Sequence, residues 1–331
     1  MKKHNYWYFP LSFLIARLIL LLTLPLEGVR SYGDYWDYQL LAEYGRPFLD
    51  LWVEYPPLFP FLSRFLFLLA GERQHAYEYL LALTFSLVQA GNVYLFVKLA
   101  QSVHTPQQIW QRVLAYFTLL IGLFYGWAYF DPLAVMTLLL GLLWLLQKRD
   151  LPAAIAFGLG ALTKWFPLLA LAAVWKWRPP RKAFKITFVA VGLVVIVWGG
   201  LYALSPEMTK ATLASQSAKG SWETIWALLD GNIHTGNFGS GADRLLPETA
   251  YRSIGNPPRI SPWITLIFFS ALGFWAFLRV DLKNEHQTLA FVGFTVVIFL
   301  FWSPGYSPQW TLYLLPLILL VIPGREGILL G

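Results

Sequence analysis

Long apolar runs separated by short polar stretches organise this chain. They fall at residues 9–26, 57–70, 76–98, 110–127, 132–147, 151–177, 184–204, 261–279, 287–302 and 309–323. A membrane-crossing helix needs roughly 20 apolar residues, with about 17 as a lower limit. The 57–70 run, PLFPFLSRFLFLLA, is short and holds Arg64 at its middle, so it is expected to lie in the interface. The 151–177 run is too long for one span and is interrupted by Lys164. That pattern predicts a hairpin of two short helices with Lys164 near its outer tip.

Loop charge selects the orientation. With 57–70 at the interface and 151–177 folded back, the cytoplasmic side receives Lys2, Lys3, Lys98, Arg112, Lys148, Arg149, Lys176, Arg178, Arg181, Lys182, Lys185, Arg279, Lys283 and Arg325. The short outer loops at 127–131 and 303–308 carry no base. If 57–70 crossed, KWRPPRK and Lys148–Arg149 would face outward, against the positive-inside rule. The prediction is an all-α polytopic membrane protein of about ten spans, both termini cytoplasmic, with residues 1–331 forming one integral-membrane domain. The basic lead and apolar run at the N-terminus lack a small-residue cleavage site, so they read as a retained first span. Two outer segments remain, 27–75 and 205–262, the second too long to be a mere connector.

Composition agrees. The chain is 57% hydrophobic, holds 16 Trp and has a mean hydropathy of +0.53, more apolar than a soluble domain could hide. A net charge of +7 would suggest nucleic acid in a soluble protein, but here the bases sit between spans, and no nucleic-acid partner is expected. The absence of cysteine removes disulfides, thiolate metal sites and Cys nucleophiles. A transporter or lipid flippase is the rival class. It would need acids near the midplane and an internal repeat, whereas only Arg17, Gln89 and Asn92 sit deep in spans.

Polar chemistry concentrates in the outer segments. Between Glu27 and Pro60 stand six acids, Glu27, Asp34, Asp37, Glu43, Asp50 and Glu54, interleaved with aromatic rings, in a chain with only 13% charged residues. Acids beside a membrane, among rings able to stack on sugars, point to chemistry at the lipid–water interface. A helix over 35–44 would put Asp34 and Asp37 on one face, with Trp36, Leu40 and Tyr44 as an adjacent apolar stripe. Such a carboxylate serves either as general base on a hydroxyl or as part of a solvated face, with Asp34 as N-cap. Glu54 is expected to pair with Arg46 or Arg64. Lys164 is either a cation for a lipid phosphate or a snorkelling side chain. Asp131, before Pro132, is expected to cap the helix it opens. Residues 217–232 predict an amphipathic helix with Trp222, Trp226 and Leu229 on one side. Lys219 would then meet an anionic ligand near the helix start, unless the helix is only an interfacial anchor. His234, Asn237 and Arg244 follow in a Gly-rich loop that no strand precedes and no Gly-Lys-Ser/Thr follows, so it is not a nucleotide cradle. The uncharged turn Ser303–Trp310 either lines a lipid or sugar path or is a Pro-set connector.

These motifs together resemble the GT-C glycosyltransferases. Asp34 after the first span, then Gly45-Arg-Pro-Phe48, then EYPPL (Glu54–Leu58), looks like their first outer loop. The nearest likeness is to polyprenol-phosphate-mannose-dependent mannosyltransferases of the glycosyltransferase family 87 type, and more distantly to the first mannosyltransferase of GPI-anchor assembly. TKWFP at Thr163–Pro167 looks like their K-x-x-P element, KGSWETIWAL at Lys219–Leu228 like an outer-loop element, and SPQW at Ser307–Trp310 like the turn before a late span. The resemblance implies a GT-C-like bundle that transfers a sugar, mannose, with inversion at the extracytoplasmic face of a bacterial plasma membrane. The donor would be a polyprenyl-phosphate sugar, the acceptor a lipid-linked or cell-envelope glycan, both among membrane lipids. It implies Asp34 or Asp37 as base, and Lys164 and Lys219 on the donor phosphate. Arg46, Glu54, Tyr55, Asp131, Trp222, Glu223, His234, Tyr306 and Gln309 are the expected substrate contacts. The distant relative carries D-x-D where this chain has Asp34-Tyr-Trp-Asp37. That departure leaves open which acid is the base and whether a divalent cation takes part; no other cofactor is implied. The chain is also short for such a family, an indication of spans missing near the C-terminus.

Overall fold

The computed structural model describes residues 6–322 except 26, 28–32, 124, 235 and 237. Lys2, Lys3 and Arg325, placed on the cytoplasmic side above, and Asn237 lie outside the described residues. Helices account for the fold: α1 (Tyr8–Thr23), α2 (Tyr35–Glu43), α3 (Leu58–Leu69), α4 (Gln74–Val103), α5 (Pro106–Gly122), α6 (Tyr125–Ala128), α7 (Asp131–Leu146) and α8 (Asp150–Ala161) form the first half. A 3-10 turn (Phe166–Leu169) leads into α9 (Ala170–Trp177), then α10 (Pro180–Leu204), α11 (Pro206–Ala218), α12 (Ile225–Asp230), α13 (Pro262–Arg279), α14 (Glu285–Trp302) and α15 (Thr311–Val321). Among the described residues there is no strand, only isolated bridges such as Lys219–Ile254 and Trp222–Gly305.

The bundle is a membrane helical bundle. Four helices, α4, α10, α13 and α14, are long and apolar enough to cross by themselves, and the other apolar helices are shorter. At 30 residues α4 is about 45 Å long and forms the central post, packed by α1, α5 and α7. It stops at Val103 because Pro106 restarts the chain: Thr105 and Gln108 form a capping box around the first turn of α5. Small residues on α8 (Ala154, Gly158, Ala161) let α7 and α10 approach closely on either side, the usual solution where lipid offers no hydrophobic contrast. Outward faces of α10 and α13 expose Phe184, Phe188, Ile196, Trp263, Phe268 and Trp275, the surface expected against acyl chains.

The short elements follow the sequence reading in kind. With 12 residues α3 is about 18 Å long, too short for a hydrocarbon core of roughly 30 Å. The 151–177 run folds into two short helices broken at 162–165, because Pro167 has no N–H to continue a helix and suits the first turn of the next segment. The open ends of this hairpin meet: Arg178 Nε donates to Asp150 (2.9 Å), and Lys182 stands 3.9 Å from the same carboxylate. At the closed tip the Leu58 N–H donates to the Leu162 carbonyl (2.7 Å), tying the EYPPL turn to the Lys164 break. The 110–127 run is not one helix, since α5 ends at Gly122 and α6 is a separate turn.

The second long polar segment departs from expectation. Residues 217–232 do not form one amphipathic helix: α11 ends at Ala218, α12 covers only Ile225–Asp230, and Trp222 lies in extended backbone paired to Gly305. A Thr224 N-cap accepting from Ala227 N–H starts α12 late, and Gly231 in the left-handed region stops it. The expected α2 helix forms, with a second apolar face besides the Trp36–Leu40–Tyr44 stripe. Trp36 and Tyr44 are exposed while Tyr35, Tyr38, Leu41 and Ala42 are buried, because α2 packs on α3.

The 25 residues of α10 carry the chain about 37 Å, from the basic Pro180 end to the start of the second outer segment. Single cysteines in this cysteine-free chain therefore report two faces. Asp50→Cys and Asn232→Cys should react with an impermeant maleimide on one side of sealed vesicles and Lys182→Cys on the other. Labelling of all three from one side would overturn this arrangement.

Candidate active site

An elbow at residues 45–51 turns the chain inward. The Arg46 backbone N–H, Nε and Nη2 all donate to Asp50 at 2.8–2.9 Å, which holds the Asp50 carboxyl down at about 2. Phe48, with φ of 66°, is fully buried against Phe61 and Trp198. Arg46 itself is exposed and does not pair with Glu54. Beyond the elbow, Leu51, Trp52 and Val53 are buried and bonded to the second outer segment. The Trp52 N–H donates to the Arg244 carbonyl (3.0 Å), its indole to Thr249 Oγ1 (3.0 Å), and the Val53 N–H to Thr212 Oγ1 (3.2 Å).

Glu54 follows, and its partner is Arg244, not Arg46 or Arg64. The two form a bidentate pair, Nη1 on Oε2 and Nη2 on Oε1 (3.0 Å), while Arg64 donates instead to the Ala42 carbonyl. Arg244 also stacks over Trp52 (4.2 Å) and Phe238 (5.1 Å). Burial pushes the Glu54 carboxyl up, but the Arg244 charge and hydrogen bonds outweigh it and leave the group below its ordinary value. Nothing local in the Gly-rich loop marks Arg244 as this partner.

Around that pair the structure gathers the other candidates. Asp34 occupies the N-cap position of α2 but makes no capping hydrogen bond; the Tyr38 hydroxyl donates to its Oδ2 at 3.4 Å. Burial raises its carboxyl to about 7, Asp37, Asp131 and Glu54 adding to the rise and Lys164 opposing it. Asp37 is raised by burial and Glu54, with Arg244 and Lys219 pulling back. Asp131 is not the cap of α7, because Phe130 holds that position. Its side chain turns inward instead. Oδ1 accepts from the Tyr313 hydroxyl and stands 3.7 Å from Lys164 Nζ, while buried Oδ2 has no partner. Lys164 Nζ also lies over the rings of Phe130 (4.6 Å) and Tyr55 (5.5 Å). Tyr313, itself stacked on Phe166 at 3.8 Å, is concealed in the sequence within an apolar run.

Lys219 completes the cluster from the end of α11, not from a helix start. Its ammonium lies 4.6 Å over the Trp222 ring and forms no ion pair among the described residues. Burial lowers its pKa, against the pull of Glu54, Asp34 and Glu223. Trp222 is fixed on the late turn: its indole donates to Ser307 Oγ (3.1 Å), and the Tyr306 N–H donates to its carbonyl (3.0 Å). Gln309 is buried there, and the Tyr306 hydroxyl meets Thr311 Oγ1 at 2.8 Å. Glu223 and His234 are exposed, and Glu223 acts electrostatically on Lys219. The structure thus brings together Asp34, Asp37, Glu54, Tyr55, Asp131, Lys164, Lys219 and Trp222, and leaves Arg46 and His234 at the surface. Among the described residues no three His, Asp or Glu side chains are grouped to hold a metal ion.

The model of glycosyltransferase family 87 matches residues 52–304. The chain belongs to that family. It is a membrane glycosyltransferase, an enzyme that takes a sugar donor and an acceptor. Searches of curated proteins and of solved structures each return no match. The matched region of the glycosyltransferase contains Glu54, Asp131, Lys164, Lys219 and Arg244, whereas Asp34 and Asp37 precede it and Tyr306 and Gln309 follow it. For glycosyl transfer the cluster supplies a carboxyl ionising near neutrality and a cation without an ion pair, walled by Trp222, Tyr55 and Phe130.

Removing one partner of the Glu54–Arg244 pair leaves a buried charge alone. Arg244→Ala and Glu54→Ala should each cost about 3–5 kcal/mol of stability. Combined, they should cost well under the sum, read from thermal unfolding in detergent as a double-mutant cycle. Additive losses would show that the pair does not couple the two segments.

Proposed function

We propose that this glycosyltransferase moves a sugar, mannose, from a polyprenyl monophosphate to a hydroxyl of a lipid-linked or cell-envelope glycan, with inversion, at the extracytoplasmic face of a bacterial plasma membrane. The observation that carries this reading is the half-buried Asp34 carboxyl, raised to about 7, within electrostatic reach of Lys219, which forms no ion pair among the described residues. A base works best when its pKa lies near the working pH. In the displacement, Asp34 takes the acceptor proton as the acceptor oxygen bonds to the anomeric carbon. The bond from that carbon to the phosphate oxygen breaks, and its electrons leave on polyprenyl phosphate. Lys219 holds the charge that develops, with Lys164 nearby, so the leaving group needs no proton. The donor's tail would sit against the apolar flank of the bundle, each buried CH₂ adding about 0.8 kcal/mol. Charge supports this side of the membrane: α10 starts beside the Arg178–Lys185 cluster and leads away from it toward the segment that carries Lys219.

The pH dependence has a definite sign. Asp34 is active only when ionised, and the charged groups facing it are Asp37, Glu54, Asp131 and Lys164. Activity should therefore rise with pH to a midpoint near 7 and level off above it. Asp34→Asn should lower kcat by about 10²–10⁴-fold while leaving expression intact. Wild-type turnover in Asp34→Asn would remove the proposed base.

Donor class is tested by incubating purified protein with polyprenyl-phosphate sugars, or with GDP- and UDP-sugars, and weighing the product. Transfer is expected from the lipid donors alone. Lys219→Ala should raise the donor KM more than Lys164→Ala, because Lys164 is already engaged by Asp131. Robust transfer from nucleotide sugars would sink this reading.

A further inference from the structure

Among the buried charges that the cluster above does not use is Arg17. Arg17 stands mid-way along α1 and is fully buried. Its guanidinium carbon lies 3.3 Å from the centroid of the Trp127 ring, and Nη2 donates to the Gly126 carbonyl at 3.0 Å. Nε and Nη1 have no partner, and no carboxylate pairs with Arg17 among the described residues. A buried cation this poorly compensated is costly, and an apolar side chain of similar volume would pack there with less loss. Its gain is geometric, because it fixes the backbone of α6.

The same short segment touches the start of α2 on its other side. The Tyr35 hydroxyl donates to the Trp127 carbonyl at 2.7 Å, and Tyr35 is the first residue of the helix that Asp34 precedes. A Cβ on Gly33 would stand 2.2 Å from Ala128 Cβ, and one on Gly126 would stand 2.4 Å from Gln89 Nε2. The α6 turn is therefore clamped between α1 and α4 on one side and residues 33–35 on the other. It runs on through Phe130 into Asp131, the carboxylate that engages Lys164.

We infer that Arg17 is a positioning residue for Asp34, acting through the Gly126–Ala128 backbone and the Tyr35 hydroxyl. The path has three links: guanidinium to the Gly126 carbonyl and Trp127 face, Trp127 carbonyl to Tyr35, and Tyr35 to the adjoining Asp34. Lysine cannot replace the planar guanidinium on Trp127, so charge alone does not suffice. The inference rests on the proposed role of Asp34, and its test has one arm that does not.

Dicyclohexylcarbodiimide modifies carboxyls in their protonated form, so the pH profile of Asp34 labelling, read by peptide mass, reports that carboxyl without any turnover. Labelling should fall through a midpoint near 7 in the wild type. In Arg17→Met and in Tyr35→Phe the midpoint should drop by at least ~0.5 unit toward the ordinary carboxylate range. In both variants kcat should fall about 10-fold with the donor KM within about 2-fold. Arg17→Lys should lie between wild type and Arg17→Met. The double variant should be no worse than the more severe single, as two links of one path require. If Arg17→Met does not fold, Tyr35→Phe, which deletes one hydroxyl, decides by itself. An unchanged labelling midpoint in the folded variants, or additive losses in the double, overturns the inference. Full turnover in Asp34→Asn would instead remove the base and leave the labelling result to stand or fall separately.

Discussion

The site depends on a single buried ion pair. Glu54 and Arg244 are 190 residues apart, and their carboxylate and guanidinium are matched two to two. Compared with a well-packed apolar contact such a pair adds little net stability, since both charges lose water. Its value lies in register: either charge without the other is intolerable there, so the two outer segments can close in only one way. Trp52 reinforces the choice by stacking under Arg244 while its backbone and indole bind the same segment. Lys219 and Trp222 stand earlier in the same second segment as Arg244, and Trp222 is anchored separately on the late turn.

Apolar run length and charge reveal the bundle in the sequence because burial in lipid imposes both locally. The short α3 helix and the hairpin of 151–177 are legible for that reason. Pairings across the chain are not. Glu54 faces two nearer arginines in sequence, and only the path of the Gly-rich loop decides for Arg244. Asp131 beside Pro132 has the local signature of a cap, and a tyrosine from the last helix draws it inward instead. The 217–232 segment has helical spacing, yet Trp222 is worth more as a strand-like bridge to the late turn than as a helix stripe. In each case a tertiary contact outweighs a local preference of about 1 kcal/mol or less.

Charge within the site is arranged in tiers. Glu54 is balanced by Arg244, and Asp131 is balanced by Lys164 and a hydroxyl. Asp34 then has no balancing partner among the described residues: its partial burial, with the nearby Asp37 charge adding to the effect, is the physical origin of the near-neutral carboxyl. Lys219, over Trp222, is the remaining cation.

The solitary Lys219 has a consequence for the end of the reaction cycle. In the proposed reaction the donor reaches it as a phosphodiester with one negative charge. The spent carrier is a phosphomonoester whose second proton ionises near pH 6, so it bears a charge of about −1.5 to −2 at neutrality. An unpaired ammonium in a poorly hydrated site grips the doubly charged species harder than the singly charged one. Under that proposal the spent carrier competes with fresh donor for Lys219, and product release joins chemistry in setting turnover.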